Sequence, residues 1–340
     1  MKHIYKLLLA TILLGSCQTD GSQTDLNINR NPDELFLNTT PHKKMIVDVD
    51  MCTDVDDACA LRIATALDDD GIIDLQGVAF SVNGPNNLDA LRGFLLHEGK
   101  PDVLIGKSAV ANPPEESPYW DLMAEYSDGK VDAYEAVKMY SKILAKSDTP
   151  VDIVTTGYTT NIECLLKSEP DEYSELTGQE LVKRKCGQLY VVGATYPEGR
   201  CNNIWFAPAA RTAADYISKH WPYPILFFTN NVGGLLVCGA GLQHVDTERK
   251  DIVTRALYAF GTDTGRLAWD PFGVWCAGYA CGKINRLGFK RVNIFIDTET
   301  GRNTFTDATD GKHYVIYPLC NNKNYYNAMM DHLLIKKAKL

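Results

Sequence analysis

The chain has 340 residues with 34 basic and 43 acidic side chains, a net charge of −9 at pH 7, so it carries no general attraction for nucleic acid. At 45% hydrophobic it holds enough apolar material for one large domain or two ordinary ones, and the absence of an internal repeat or low-complexity break favours one. Its ten cysteines show no CxxC pair and no Cys/His spacing, which argues against a zinc site; the nine beyond Cys17 read as buried small hydrophobes with room for one disulfide.

Residues 1–16, MKHIYKLLLATILLGS, carry Lys2 and Lys6 followed by an apolar run too short to span a bilayer, as in a secretory signal. The sequence Leu14-Gly15-Ser16-Cys17 resembles a bacterial lipobox, and the resemblance implies cleavage before Cys17, diacylation of Cys17 and anchorage to the outer membrane, on its periplasmic or its surface face. Cleavage there removes two lysines and no acid, taking the net charge from −9 to −11. Residues 17–41 are polar and without period and read as a tether, leaving 42–340 as the folded domain.

Along that domain, short apolar runs alternate with amphipathic helical patterns. KMIVDVD is followed by DDACALRIATAL, LQGVAF by NLDALRGFLLHEG, and DVLIG by DAYEAVKMYSKILAKS. VDIVTTG, TTNIECLLKS, QLYVVGAT, AARTAADYISKHW and PILFFTN continue the alternation. Apolar runs of this length separated by helices predict an α/β domain with an open, mainly parallel sheet covered on both faces. Ligands of such sheets bind beyond the carboxyl ends of the strands.

The end of the first strand is where charge concentrates. MIVDVDMCTDVDDACAL places Asp48, Asp50, Asp54, Asp56 and Asp57 within ten positions. Unpaired, these carboxylates would repel one another, so a positive charge is required among them. Asp48 and Asp50, two apart, are expected on one face of the strand, and Asp56 and Asp57 at the start of the helix, where the dipole also favours anions. Carboxylates from two elements, with no His or Cys ligand pattern, suit a hard cation, calcium or magnesium. A helix cap with an acidic first turn would explain only part of the cluster.

Two families carry such a strand end. IVDVDMC resembles the DxDx(T/V) motif of haloacid-dehalogenase-type phosphatases, but Cys52 breaks that pattern. DVDMCTDVDDACAL is much closer to DxDxGxDDAxAL, the N-terminal signature of the inosine-uridine-preferring nucleoside hydrolases, with two extra residues before the Asp-Asp pair. VDIVTTGYTTNIECLL is similar to that family's segment ending in TGPLTNIA, RCNNIWFAPAARTAADYI to EFNxxxDPEAA, and RLAWDPFGVWCAGYA to the late (H/W)D motif. PILFFTNNVGGLLVCGAGL is similar to a strand and helix start of one branch.

The resemblance implies a calcium ion, ahead of magnesium, held by Asp50, Asp57, the Thr156 carbonyl and Asp270. Asp56 takes a proton from water, Asn203 matches a ribose-binding Asn, and Asp48 orients the ligands from behind. It also implies hydrolysis of the N-glycosidic bond of a ribonucleoside or related riboside. Asn83, at the end of the second strand, is a candidate sugar ligand or a turn residue beside Gly84, and Trp269 a base-stacking or core aromatic. The departures are Cys52 for Gly, Cys201 for the Glu of EFN, Ala207 for the Asp of DPE, and Trp269 for the His that often protonates the leaving base. They leave open a lipoprotein that binds nucleosides or sugars without turnover, and a phosphatase of the dehalogenase type. A homo-oligomer is compatible with the sequence. His244, His313 and the tail lysines Lys336, Lys337 and Lys339 read as surface residues.

Overall fold

Lys43–Val49, KKMIVDV, is buried from Met45 onward on both faces, as a central parallel strand must be, and forms β1. Successive side chains alternate between two cores: Met45, Val47 and Val49 enter one, Ile46 the other. In the computed structural model the described residues are 42–110, 116–279, 287–319 and 321–340. The expected signal, Cys17 and tether, together with Cys281 and Cys320, lie outside them.

The remaining strands are β2 (Ile73–Phe80), β3 (Leu104–Lys107), β4 (Ala133–Glu135), β5 (Val151–Thr155), β6 (Cys186–Val192) and β7 (Glu198–Gly199). They continue with β8 (Ile225–Phe228), β9 (Val237–Cys238), β10 (Arg266–Leu267), β11 (Leu287–Ile296), β12 (Asn303–Asp307) and β13 (His313–Pro318). The main sheet has 11 strands in the order β4-β3-β2-β1-β5-β6-β8-β13-β11-β12-β7. Every pairing from β4 to β13 is parallel; β11, β12 and β7 complete the sheet antiparallel. This is the open, mainly parallel, mixed sheet expected of the domain. The chain lays β2, β3 and β4 on one side of β1 and returns with β5 on the other, so strand order reverses at β1 and β5. That reversal opens a crevice at the strand ends.

One face is covered by the helices Asp56–Asp69, Trp269–Gly278 and Lys323–Lys336, the other by Ala136–Lys146, Thr160–Lys167, Gly178–Lys185 and Pro208–His220. The helix Asp56–Asp69 is buried nearly all round, which its run of Ala, Leu and Ile allows. Its one arginine, Arg62, is fully buried and paired with Glu98 at 2.8 Å and Asp251 at 3.0 Å. No helix among the described residues is long and apolar enough to cross a membrane.

One expectation about the C-terminal part is corrected. His313 is buried, not on the surface: its Nδ1 accepts from the Ile225 N–H at 3.1 Å, its Nε2 lies 2.8 Å from the Ser218 carbonyl, and burial lowers its pKa to about 4. The tail lysines lie at the surface as expected, Lys336 and Lys339 exposed and Lys337 partly so, and each makes a local polar contact. Lys336 pairs with Asp70, Lys337 with Asp69 at 2.6 Å, and Lys339 donates to the His97 carbonyl. His244 is exposed, as expected. Cys52, Cys59, Cys186, Cys201, Cys238 and Cys276 are buried and Cys164 partly so, and none of these seven is in a disulfide.

Candidate metal centre

The ends of β1, β5 and β6, the helix Asp56–Asp69 and the helix Trp269–Gly278 converge on one cleft of about 310 Å³. Asp50, one residue beyond β1, Asp57 in the first turn of its helix and Asp270 in the first turn of the late helix bring carboxylate oxygens within 4.8 Å of one another. Asp57 and Asp270 are 2% and 5% exposed. Each element is held for this purpose. Gly273 lets the late helix approach β6 so closely that a Cβ there would lie 2.3 Å from the Val192 side chain. Gly157 leaves no room for a Cβ either, which would sit 2.3 Å from Ser81 Oγ and 2.7 Å from the Asp50 Cβ.

The five aspartates of the strand end separate into distinct roles. Asp48 is fully buried; its Oδ2 accepts from Tyr140 Oη at 2.6 Å and Asn161 Nδ2 at 3.0 Å. Burial raises its pKa to about 7. The sequence places Asp48 and Asp50 on one face, but regular alternation ends with β1 at Val49, and the Asp48 carboxylate does not join the group that Asp50 enters. What Asp48 does orient is Thr156, through its main-chain carbonyl, which accepts from the Thr156 N–H at 2.7 Å and Oγ1 at 3.2 Å. A buried Asp48 carboxylate bound in this way cannot be the phosphoryl acceptor that the dehalogenase motif would require.

Asp54 does not cap the helix. Its carboxylate is gripped by Arg266, with Nε at 2.8 Å and Nη2 at 2.6 Å. Asp56, 3% exposed, stands outside the three-carboxylate group and accepts from the Asp270 N–H at 3.4 Å. Burial first, and then the neighbouring aspartates, raises the pKa values of Asp56, Asp57 and Asp270 well above the ordinary carboxylate value. Arg266 is the one basic side chain among the described residues that line the cleft, and it is committed to Asp54. No second basic side chain among the described residues lines the cleft to meet Asp56, Asp57 and Asp270. Hard oxygen donors at this spacing fit a divalent cation, calcium or magnesium.

Thr156 Oγ1 donates to Asp57 at 2.7 Å, fixing one carboxylate oxygen. The Thr156 carbonyl faces Asn203, whose Nδ2 donates to it and, at 3.1 Å, to the Val192 carbonyl, tying the ends of β5 and β6 together. Trp269 lines the cleft, but its indole N–H is spent on the Asn230 carbonyl at 2.8 Å. Cys201 lines it as a neutral thiol, its pKa pushed up to about 11 by burial. Cys52 adopts no positive φ, so its loop does not need the glycine found in the related signature. Asn83 is not among the described residues lining the cleft; its amide donates to the Val110 carbonyl at 3.1 Å.

No protein-family model and no curated protein matches the sequence. Solved structures do match. A purine-preferring ribonucleoside hydrolase from Gardnerella vaginalis is similar with a TM-score of 0.67 and 18% identity, over 87% of this chain and 99% of that one. An inosine-uridine-preferring nucleoside hydrolase from Bacillus anthracis is similar with a TM-score of 0.64 and 16% identity, over 86% and 99%. The type III effector protein XopQ, complexed with adenosine diphosphate ribose, gives 0.62 and 14% over 90% and 98%. The chain has the nucleoside hydrolase fold.

Within the nucleoside hydrolase fold of this chain, the Asp54–Arg266 pair is what sequence reading missed. The two partners are 212 residues apart, and the only local signal is the pair of extra residues before Asp56-Asp57. Gly157 offers a direct check on how tightly the cleft is built. Gly157→Ala is expected to destabilise the protein by about 1–3 kcal/mol, the usual cost of overpacking, and to weaken metal binding by displacing Asp50. Denaturant unfolding and calcium titration measure the two effects. Unchanged values for both would show that Asp50 is held by other contacts.

Proposed function

We propose that this protein is a calcium-dependent hydrolase that cleaves the N-glycosidic bond of a ribonucleoside or related riboside, working as an exported lipoprotein held to the outer membrane through Cys17. The observation that carries this reading is the trio Asp50, Asp57 and Asp270, with carboxylate oxygens within 4.8 Å at the strand-order reversal of a nucleoside hydrolase fold. Asp50, Asp57, Asp270 and the Thr156 carbonyl are the groups that would hold the ion. When bound, a divalent cation supplies a Lewis acid that acidifies water and grips vicinal hydroxyls.

The chain's own groups perform the rest. Asp56 takes the proton from the attacking water, and burial raises its pKa above the ordinary carboxylate value, the direction in which a carboxylate becomes a stronger base. Water adds to the anomeric carbon as the glycosidic bond opens through an oxocarbenium-like state, which the surrounding carboxylates stabilise. Asn203, anchored through Nδ2, offers its Oδ1 to a ribose hydroxyl. With its N–H taken by Asn230, Trp269 contributes by stacking on the leaving group.

Trp269→Ala is accordingly expected to lower kcat/KM by about 1–3 kcal/mol in transition-state terms. Steady-state kinetics on the best riboside measures it, and an unaltered kcat/KM places the leaving group away from the indole. A second reading, a lipoprotein that binds nucleosides without turnover, is favoured by the neutral Cys201 and the occupied Trp269 N–H, which leave no evident acid for the leaving base. A panel of nucleosides assayed for released base and reducing sugar separates the two: release supports hydrolysis, and saturable binding without release supports the second reading. Release of phosphate from phosphomonoesters would overturn both.

A further inference from the structure

We propose that Arg266 is the leaving-group residue of this cleft, receiving the departing base through a guanidinium N–H; the assignment rests on the riboside hydrolase reading above. Arg266 lines the cleft beside Trp269, with its guanidinium 5.1 Å from the centroid of that ring and 5.0 Å from that of Phe260. Asp54 grips Nε and Nη2 at 2.8 and 2.6 Å, while Nη1 makes no hydrogen bond among the described residues. The fork is therefore aimed by Asp54 on one edge and has a donor left on the other. Its strand, β10, is laddered to β9 with Arg266 opposite Cys238, which fixes its place relative to the late helix that carries Asp270.

The chemistry fits a group that stabilises rather than protonates. The C–N bond breaks with its electron pair passing to the base nitrogen, the water oxygen forms the new bond to the anomeric carbon, and the water's proton goes to Asp56. The base departs as an anion, its charge spread to acceptor atoms around the ring. A guanidinium does not surrender its proton at neutral pH, and Asp54 holds its pKa above the ordinary value, so Arg266 meets that charge with a charge-assisted hydrogen bond. The base takes its final proton from Asp56 or solvent. Asp54, which aims the fork, sits in the loop that carries two residues more than the related signature. The site thus takes ribosides whose leaving group carries a hydrogen-bond acceptor conjugated with the glycosidic nitrogen.

The test compares wild type, Arg266→Ala, Arg266→Lys and Asp54→Asn on inosine and on p-nitrophenyl riboside, whose leaving group departs with little help. Loss of a preorganised donor is expected to lower kcat on inosine by roughly 100-fold or more in Arg266→Ala, with a far smaller loss on p-nitrophenyl riboside. Low millimolar guanidinium should restore part of the inosine activity of Arg266→Ala. Arg266→Lys should keep the selective loss, since an ammonium cannot hold the fork, and Asp54→Asn should fall between. Should Arg266→Ala not fold, Arg266→Lys carries the same comparison. Equal losses on both substrates, or full inosine activity in Arg266→Lys, overturn the role of Arg266 and leave the hydrolase reading intact. Absence of ribose release from either substrate by the wild type overturns the hydrolase reading and this assignment with it.

Discussion

Asp56→Asn is expected to lower kcat by about 10²–10⁴-fold, the contribution of a positioned general base, while calcium affinity changes little. The separation follows from geometry. Asp56 lies outside the three carboxylates that close on one point, yet it opens the same helix as Asp57 and meets the Asp270 N–H at 3.4 Å. The amide keeps the shape and that acceptor and removes the base. In the wild type the base must be ionised, so the rate should fall as pH drops through the raised pKa of Asp56, and the acid limb should vanish in the variant. Stopped and steady-state assays of ribose release, with calorimetric titration of calcium, read both quantities. Full activity would remove Asp56 from the base role, and lost calcium binding would make it a ligand.

The second large effect concerns stability without metal. Asp56, Asp57 and Asp270 have folded-state pKa values raised above the unfolded value, so the folded protein holds protons there that the unfolded chain releases. That contribution is fully present below the unfolded carboxylate pKa and is lost as pH rises through the folded values. Metal-free protein should therefore lose stability from about pH 4 upward, and calcium should flatten the decline by neutralising the charges. At a thousand times its dissociation constant the ion is expected to add about 4 kcal/mol. Asp270→Ala should abolish that gain and, by removing one of three crowded like charges, make the metal-free protein less sensitive to pH. Thermal unfolding with calcium and with chelator, across pH, measures this. A metal-free protein whose stability rises steadily between about pH 4 and pH 8 would contradict the charge arrangement.

Much of this site was legible because its determinants are local. A continuous apolar run announced β1 as a central strand, the acidic cluster behind it marked the strand end, and Asp56-Asp57 preceded an Ala-rich helical pattern, where the structure starts a helix. Asp270 could be placed only through its similarity to a late family motif, since nothing near it in sequence marks a ligand. Long-range pairings were not legible. Arg266 reaches Asp54 across 212 residues, and Tyr140 and Asn161 reach Asp48 across 92 and 113. The face of Asp48 was misjudged because alternation holds only within the strand, and Asp50 lies just past its end. Asn83 sits beyond β2, where a polar residue can equally serve the loop, and it serves Val110. His313 was misread because its polar neighbours hide a strand whose side chains face the sheet's second layer.

Electron density from crystals grown with calcium tests the metal centre most directly. One ion is expected within about 2.3–2.6 Å of oxygens from Asp50, Asp57, Asp270 and the Thr156 carbonyl, with Asp56 beside it and not bound to it. An ion seated elsewhere, or those four groups standing more than twice that distance apart around it, would contradict a single metal centre built from the aspartate cluster.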